Sequence, residues 1–299
     1  MFFLRPRTFL IQLTLILALG LSACGSLFGT KATPTPIGPT AAPVPPTATP
    51  EPMALTVNGD GVTVVEFKAE LERYKSAQTA LGKTVSDADA SKAVIEDLIA
   101  QVLLAQAARA GGFDLSESAL QSRVDALATN LGGADKLSAW EAAHSYDDAS
   151  FRVALKRSAE AAWMRDKIVN AVPNTADEVH VQQILFQTAD DANSVLAQLQ
   201  GGADFNEMAL KYDPVTHGDL GWFPKGYLLD AKIEEAAFNL QAGQISDVIQ
   251  SDIGFHIIKV LERDPKHLLS PDAYLSVQDQ ALNEWVAQQR AQANIVLAP

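Results

Sequence analysis

The chain contains one cysteine, Cys24, in 299 residues. No disulfide can close within it, and cysteine catalysis and a thiolate metal site are excluded with it. Basic residues are scarce: 23 Lys and Arg stand against 36 Asp and Glu, a net charge of −13. Removing 1–23, which holds Arg5, Arg7 and no acid, leaves −15. Nucleic acid is therefore not an expected partner, because neutralising phosphates takes basic patches. The five histidines show no H-E-x-x-H spacing, so no metal site is expected. Gly-x-Ser-x-Gly, P-loop and dinucleotide fingerprints are missing, and no cofactor is expected either.

What is present begins with a leader. Arg5 and Arg7 precede an apolar run from Phe9 to Leu21, which Gln12 and Thr14 interrupt. Leu21-Ser22-Ala23-Cys24 then reads as a lipobox, which predicts a signal peptide over 1–23 and lipid modification of Cys24. The alternative, an uncleaved membrane anchor, fits the short interrupted run less well. From 24 to 52 the chain reads as a linker. Eight of the 15 prolines lie between Thr30 and Pro52, among Thr and Ala. Such a segment favours extended polyproline II at about 3.1 Å per residue, a spacer between bilayer and folded part.

Residues 53–173 read as a mostly helical domain. Leu55 to Thr63 predicts a hairpin, and Phe67, Leu71 and Tyr74 share a helical face after it. Val94, Ile95, Leu98, Ile99, Val102 and Leu103 form the broad apolar stripe of a central helix. Gly111-Gly112 and Gly132-Gly133 act as stops, and a last helix runs from Phe151 toward Pro173.

Residues 176–264 change character. Val179–Phe186 and Phe255–Leu261 are short β-branched and aromatic runs that read as strands. Between them lie three helical stretches, at Asp190–Gln200, after Asp204 and over Ala231–Phe238. Ordered phrases stand out: Gly202-Ala203-Asp204-Phe205, Gly218-Asp219-Leu220-Gly221-Trp222-Phe223, Ile233-Glu234-Glu235-Ala236-Ala237-Phe238 and Gly254-Phe255-His256-Ile257-Ile258. Taken in this order they resemble the parvulin-type (PpiC, rotamase) peptidyl-prolyl isomerase domain. The hairpin, the Leu-Ile-rich helix, the turn Gly112–Ser116 and the helix at Phe151-Arg152 resemble the N-terminal domain of SurA/PrsA-type extracytoplasmic chaperones.

The resemblance implies an α+β fold: a small antiparallel sheet flanked by helices, inserted in an all-α chaperone module that a C-terminal helix over 270–297 completes. Tyr274, Val277, Ala281 and Trp285 share one face of that helix, and in the resembled family such a tail packs back on the N-terminal helices. A free tail is the alternative. The resemblance also implies a site. His256 matches the final-strand histidine of the family's pair, Gln183 stands at the first-strand histidine, and Asp213 loosely matches an acidic or thiol position in a shortened loop, 212–217. Leu220, Leu229 and Ile233, with Phe223 beside them, would seat the proline ring.

Each reading has a plainer counterpart. The apolar residues are equally ordinary core, His256 alone is a common structural residue of a sheet, and Gln183 cannot titrate. His180 and His217 are candidates for rewired contacts. Within Asp177–Asp264 there are 15 acidic and five basic residues, which argues against a phosphate-reading isomerase. The expectation is a lipid-anchored extracytoplasmic isomerase and foldase, acting on unfolded or nascent secreted polypeptides with X-Pro bonds. The alternatives are a non-catalytic holdase with a degenerate isomerase fold, and a structural envelope lipoprotein. Nothing in the sequence sets the oligomeric state.

Overall fold

The computed structural model describes residues 51–228 and 230–298. The leader, Cys24, the linker up to residue 50 and Leu229 lie outside the described residues. Strands β1 (Met53–Val57) and β2 (Asp60–Thr63) come first, then helices α1 (Val64–Ala80), α2 (Asp87–Ala110), α3 (Glu117–Leu131), α4 (Ala134–Ala143) and α5 (Asp148–Asn170). There follow β3 (Thr175–Phe186), α6 (Ala189–Gln200), α7 (Phe205–Tyr212), β4 (Asp219–Pro224), α8 (Ala231–Asn239), β5 (Ile249–Ser251) and β6 (Gly254–Leu268). The chain closes with α9 (Pro271–Gln292) and β7 (Ile295–Leu297). Among the described residues no helix is long and apolar enough to cross a membrane.

Two compact units result. One comprises residues 51–162 and the chain from Arg290 onward; the other is Trp163–Gln289. In the first, hydroxyl caps start the helices: Thr63, Ser86 and Ser116 each accept from the amide three residues on. Leu55, Val57 and Val62 of the hairpin pack on Val94, Leu98, Ile99, Val102 and Leu103 of α2, as the apolar stripe predicts. A second core gathers Leu115, Leu120, Val124, Leu137, Phe151 and Leu155 around Trp140. The unit is not purely helical, because β7 adds to the hairpin as a third strand, paired antiparallel with β1. That pairing gives β1 the second partner a hairpin strand lacks.

The other unit is built on a four-stranded antiparallel sheet in the order β4-β3-β6-β5. Side chains alternate across it. Ile184, Phe186 and Ile257 face α6 and α7, while Val179, Val181, Ile258 and Val260 face α8. Asp204 caps α7 by accepting from the Glu207 amide at 2.9 Å, the cap that the sequence announces. The helix α9 as far as Gln289 groups with this unit, and only its last turn and β7 group with the hairpin. The Tyr274 hydroxyl donates to the Val172 carbonyl at 3.1 Å, and Gln278 donates to the Val169 carbonyl at 3.0 Å. These two bonds tie the helix to the C-terminal end of α5, the last helix of the stretch 53–173. The fully buried residues of α9 are Ala273 and Leu282, with Tyr274, Val277, Ala281 and Trp285 half-buried.

Candidate active site

The α8 face of the sheet carries a polar chain at its β5 end. Leu185 pairs with His256 and Gln183 with Ile258 across β3 and β6, so Gln183 and His256 are diagonal neighbours on one face. His256 Nδ1 and Gln183 Oε1 lie 2.9 Å apart, and His256 Nε2 lies 2.7 Å from the Ser251 hydroxyl. A carboxamide oxygen only accepts, so Nδ1 carries the imidazole proton and donates it. Nε2 then accepts from Ser251, and the direction of the whole chain is fixed. His256 is 1% exposed. Burial lowers its pKa, with the negative charge of Asp230 opposing. The imidazole is thus held neutral. Among the described residues, the Gln183 side-chain NH2 has no protein partner and remains free to donate.

Asp213 serves a different purpose from the one its position in the sequence suggested. It ends α7, and its carboxylate accepts from the amides of Val215 at 3.1 Å, Thr216 at 3.0 Å and Gly218 at 3.4 Å, and from the Thr216 hydroxyl. The Thr216 hydroxyl and these amides lower its pKa to about 2. A carboxylate so engaged stays ionised and is no proton donor at neutral pH. What it does is fold the loop onto β3. The Gly218 carbonyl accepts from the Gln183 amide at 2.8 Å. Gly218 has φ +67°, and a Cβ there would stand 1.9 Å from the Gln183 carbonyl oxygen, so only glycine permits the approach. Asp213 thereby positions Gln183 through the backbone.

The apolar part of the site adjoins this chain. Leu220 and Ile233 belong to one cluster with Phe223, Tyr227, Leu228, Phe238 and Ile249, and Ile249 is the β5 partner of His256. Ile233 is 6% exposed and forms a floor, whereas Leu220 is half-buried. Phe223 is a correction: at 0% exposure, with its ring edge-on to Phe238 at 6.2 Å, it supports the cluster from within and cannot touch a ligand. Leu229, the remaining seat residue expected, lies outside the described residues.

Two profiles match the sequence. That of the PPIC-type PPIASE domain covers residues 166–264, and that of the SurA-like N-terminal domain covers 47–133. The chain carries both domains. It is similar to the foldase protein PrsA of Geobacillus kaustophilus, 38% identical over 98 residues, which are 31% of this chain and 34% of that protein. The PrsA of Oceanobacillus iheyensis is 43% identical over 88 residues, 28% and 29% of the two chains. The chaperone SurA of Ralstonia nicotianae is 29% identical over 216 residues, 59% of this chain and 43% of that one. The matches to the two PrsA proteins span about a third of those relatives' length.

Within the isomerase domain the structure unites His256 with Gln183, and Leu220 with Ile233. The other two histidines singled out are engaged elsewhere. His180 Nε2 lies 2.9 Å from the Asp219 carboxylate and its ring stacks on Trp222. His217 offers its backbone carbonyl to Gln182 at 2.8 Å. Ser251 was not foreseen. Its signal is faint, a hydroxyl five residues before His256 across the tight β5–β6 connection, where Ser251 pairs with Gly254. Among the described residues no group of three or more His, Cys, Asp or Glu side chains is placed to hold a metal.

Proposed function

We propose that the isomerase domain catalyses cis/trans rotation about X-Pro bonds, and that the whole chain is a lipid-anchored extracytoplasmic foldase for secreted polypeptides. The observation that carries the reading is the neutral chain Ser251–His256–Gln183 beside an apolar cluster, within residues matched by the isomerase profile. Rotation about the bond meets a barrier of roughly 18–20 kcal/mol and breaks no covalent bond. Catalysis requires the twisted amide to be bound better than either planar form, each ~1.4 kcal/mol of preference giving tenfold in rate.

The residues present suit that task. Leu220 and Ile233 supply an apolar seat for the proline ring. Ser251 locks the imidazole, the imidazole locks the Gln183 oxygen, and the Gln183 NH2 is left to donate to a peptide carbonyl. No proton need move, since Gln183 cannot titrate. Asp213 acts on the reaction only by holding the loop behind Gln183.

The test follows the full chain and a short X-Pro peptide by NMR exchange spectroscopy. The expected result is accelerated exchange without phosphate on the peptide, reduced by Gln183→Ala and raised or kept by Gln183→His. The substitution of a non-titrating Gln183 for a histidine supports a second reading, a holdase. Exchange at the uncatalysed rate together with suppressed client aggregation would establish that reading instead. For the anchor, mass spectrometry of membrane-extracted protein should find an acylated N-terminal Cys24; an intact Met1 would refute it.

A further inference from the structure

The seat of the isomerase domain is held from outside the domain as well as from within. Between β4 and α8 the chain makes a turn whose Tyr227 and Leu228 join the cluster of Leu220 and Ile233. One carboxylate organises that turn. Glu234 Oε1 accepts from the Gly226 amide at 2.7 Å, and Oε2 accepts from the amides of Tyr227 and Leu228, each at 3.0 Å. Three successive backbone donors on one carboxylate make a strong, directional anchor. It lies one residue after Ile233, so the floor and the turn are tied together by the same helix.

The opposite side of the turn is covered by α9. Gly226 has φ +81°, and a Cβ built there would lie 2.5 Å from Gln280 Oε1 and 3.0 Å from the Gln280 carboxamide carbon. The Gln280 side chain therefore occupies the space above Gly226, and its NH2 donates to Glu284 at 2.8 Å, which fixes it along the helix. One turn earlier, the Ser276 hydroxyl reaches the Gly226 carbonyl at 3.5 Å. The helix itself is fastened through Tyr274 and Gln278 to the end of α5. All of α9 lies beyond residue 264, where the isomerase profile stops.

We propose that α9 is part of the isomerase site: Gln280 and Glu234 clamp the turn at Gly226–Leu228 between them and so set the shape of the proline seat. Both act as positioning residues, since neither touches the reacting amide. The proposal rests on the isomerase reading of the site. A seat is used by planar and twisted substrate alike, so loosening it weakens binding in both states and raises KM more than it lowers kcat.

The experiment uses the full chain and its Gln280→Ala and Gln280→Met variants. Amide hydrogen exchange at Gly226, Tyr227 and Leu228 and the kinetics of X-Pro exchange are measured together, with Tm as the control. The expected result for Gln280→Ala is faster hydrogen exchange at those three amides, a KM raised by about fivefold through the packing lost above Gly226, and an unchanged Tm. Gln280→Met, which keeps the side-chain length above Gly226, should recover most of the protection. Glu234→Gln should remove protection at the same amides without α9 being altered. An active wild-type chain whose Gln280→Ala variant keeps wild-type KM overturns the proposal, whatever its amides do. A wild-type chain without catalysis overturns the isomerase reading itself and the role of α9 with it.

Discussion

His256 shows at the level of one residue how burial chooses a mechanism. Its imidazole is neutral because the surroundings are poor in water, and its two ring nitrogens are committed to Ser251 and Gln183. Protonation would remove the acceptor that Ser251 needs and leave a charge in a desolvated site. Activity should therefore be level through neutral pH and fall only below the ordinary histidine range. The stability sign agrees. A histidine whose folded pKa is lowered binds its proton later in the folded than in the unfolded state, so its contribution is full above the unfolded value and is lost as pH falls from there toward the folded one. A pH profile of kcat/KM with its acidic limb above the ordinary histidine value would contradict this. Asp213 is the converse case, a carboxylate kept ionised to about pH 2 by the loop it folds.

At the scale of elements, α2 carries an internal cost. Desolvation raises the pKa of Asp97 to about 6, against the Gln101 hydrogen bond that lowers it, and nearby Glu70 adds to the rise. A raised carboxyl pKa destabilises the fold above that value, and the cost disappears below the unfolded pKa of about 4. Asp97→Asn, which can keep an acceptor for Gln101, should raise stability at pH 7 by on the order of 2 kcal/mol and change nothing at pH 3. Urea melts at the two pH values check it. The strand β7 is the other element with a measurable role. Asn58 donates its amide to the Asn294 carbonyl and accepts from the Asn294 amide, both at 2.8 Å, and Ala293 and Ile295 pack on the hairpin core. Ending the chain at Gln292 should lower the stability of the hairpin unit by on the order of 2–4 kcal/mol, seen as an earlier thermal transition.

For the molecule as a whole, the uneven charge matters most. The isomerase domain carries 15 acidic and five basic residues between Asp177 and Asp264. Several of the acids are occupied by the fold, such as Asp177 with Arg263, Asp213 with its loop and Glu234 with the seat turn. The net field remains negative, and it draws cationic chains and repels anionic ones. An X-Pro peptide flanked by Lys or Arg should show a KM that rises with ionic strength, while a neutral peptide of the same length should not. Equal salt dependence for the two would show that the field plays no part in capture.

Local physics accounts for what the sequence by itself determined. The caps at Thr63, Ser86, Ser116 and Asp204, the stripe along α2 and the alternation in β3 and β6 act within a few residues, so the elements and the α+β architecture were legible. The family resemblance, rather than any local pattern, brought Gln183 and His256 together across 73 residues. Only the tertiary structure decided the rest. Register placed the Ser251 hydroxyl against His256, packing withdrew Phe223 from the surface, and loop closure turned the Asp213 carboxylate onto its own amides. Side-chain packing likewise set Gln280 over Gly226, and strand pairing carried Ile295–Leu297 to β1. Each of these joins groups that no periodicity relates, and its energy exists only once distant segments have met.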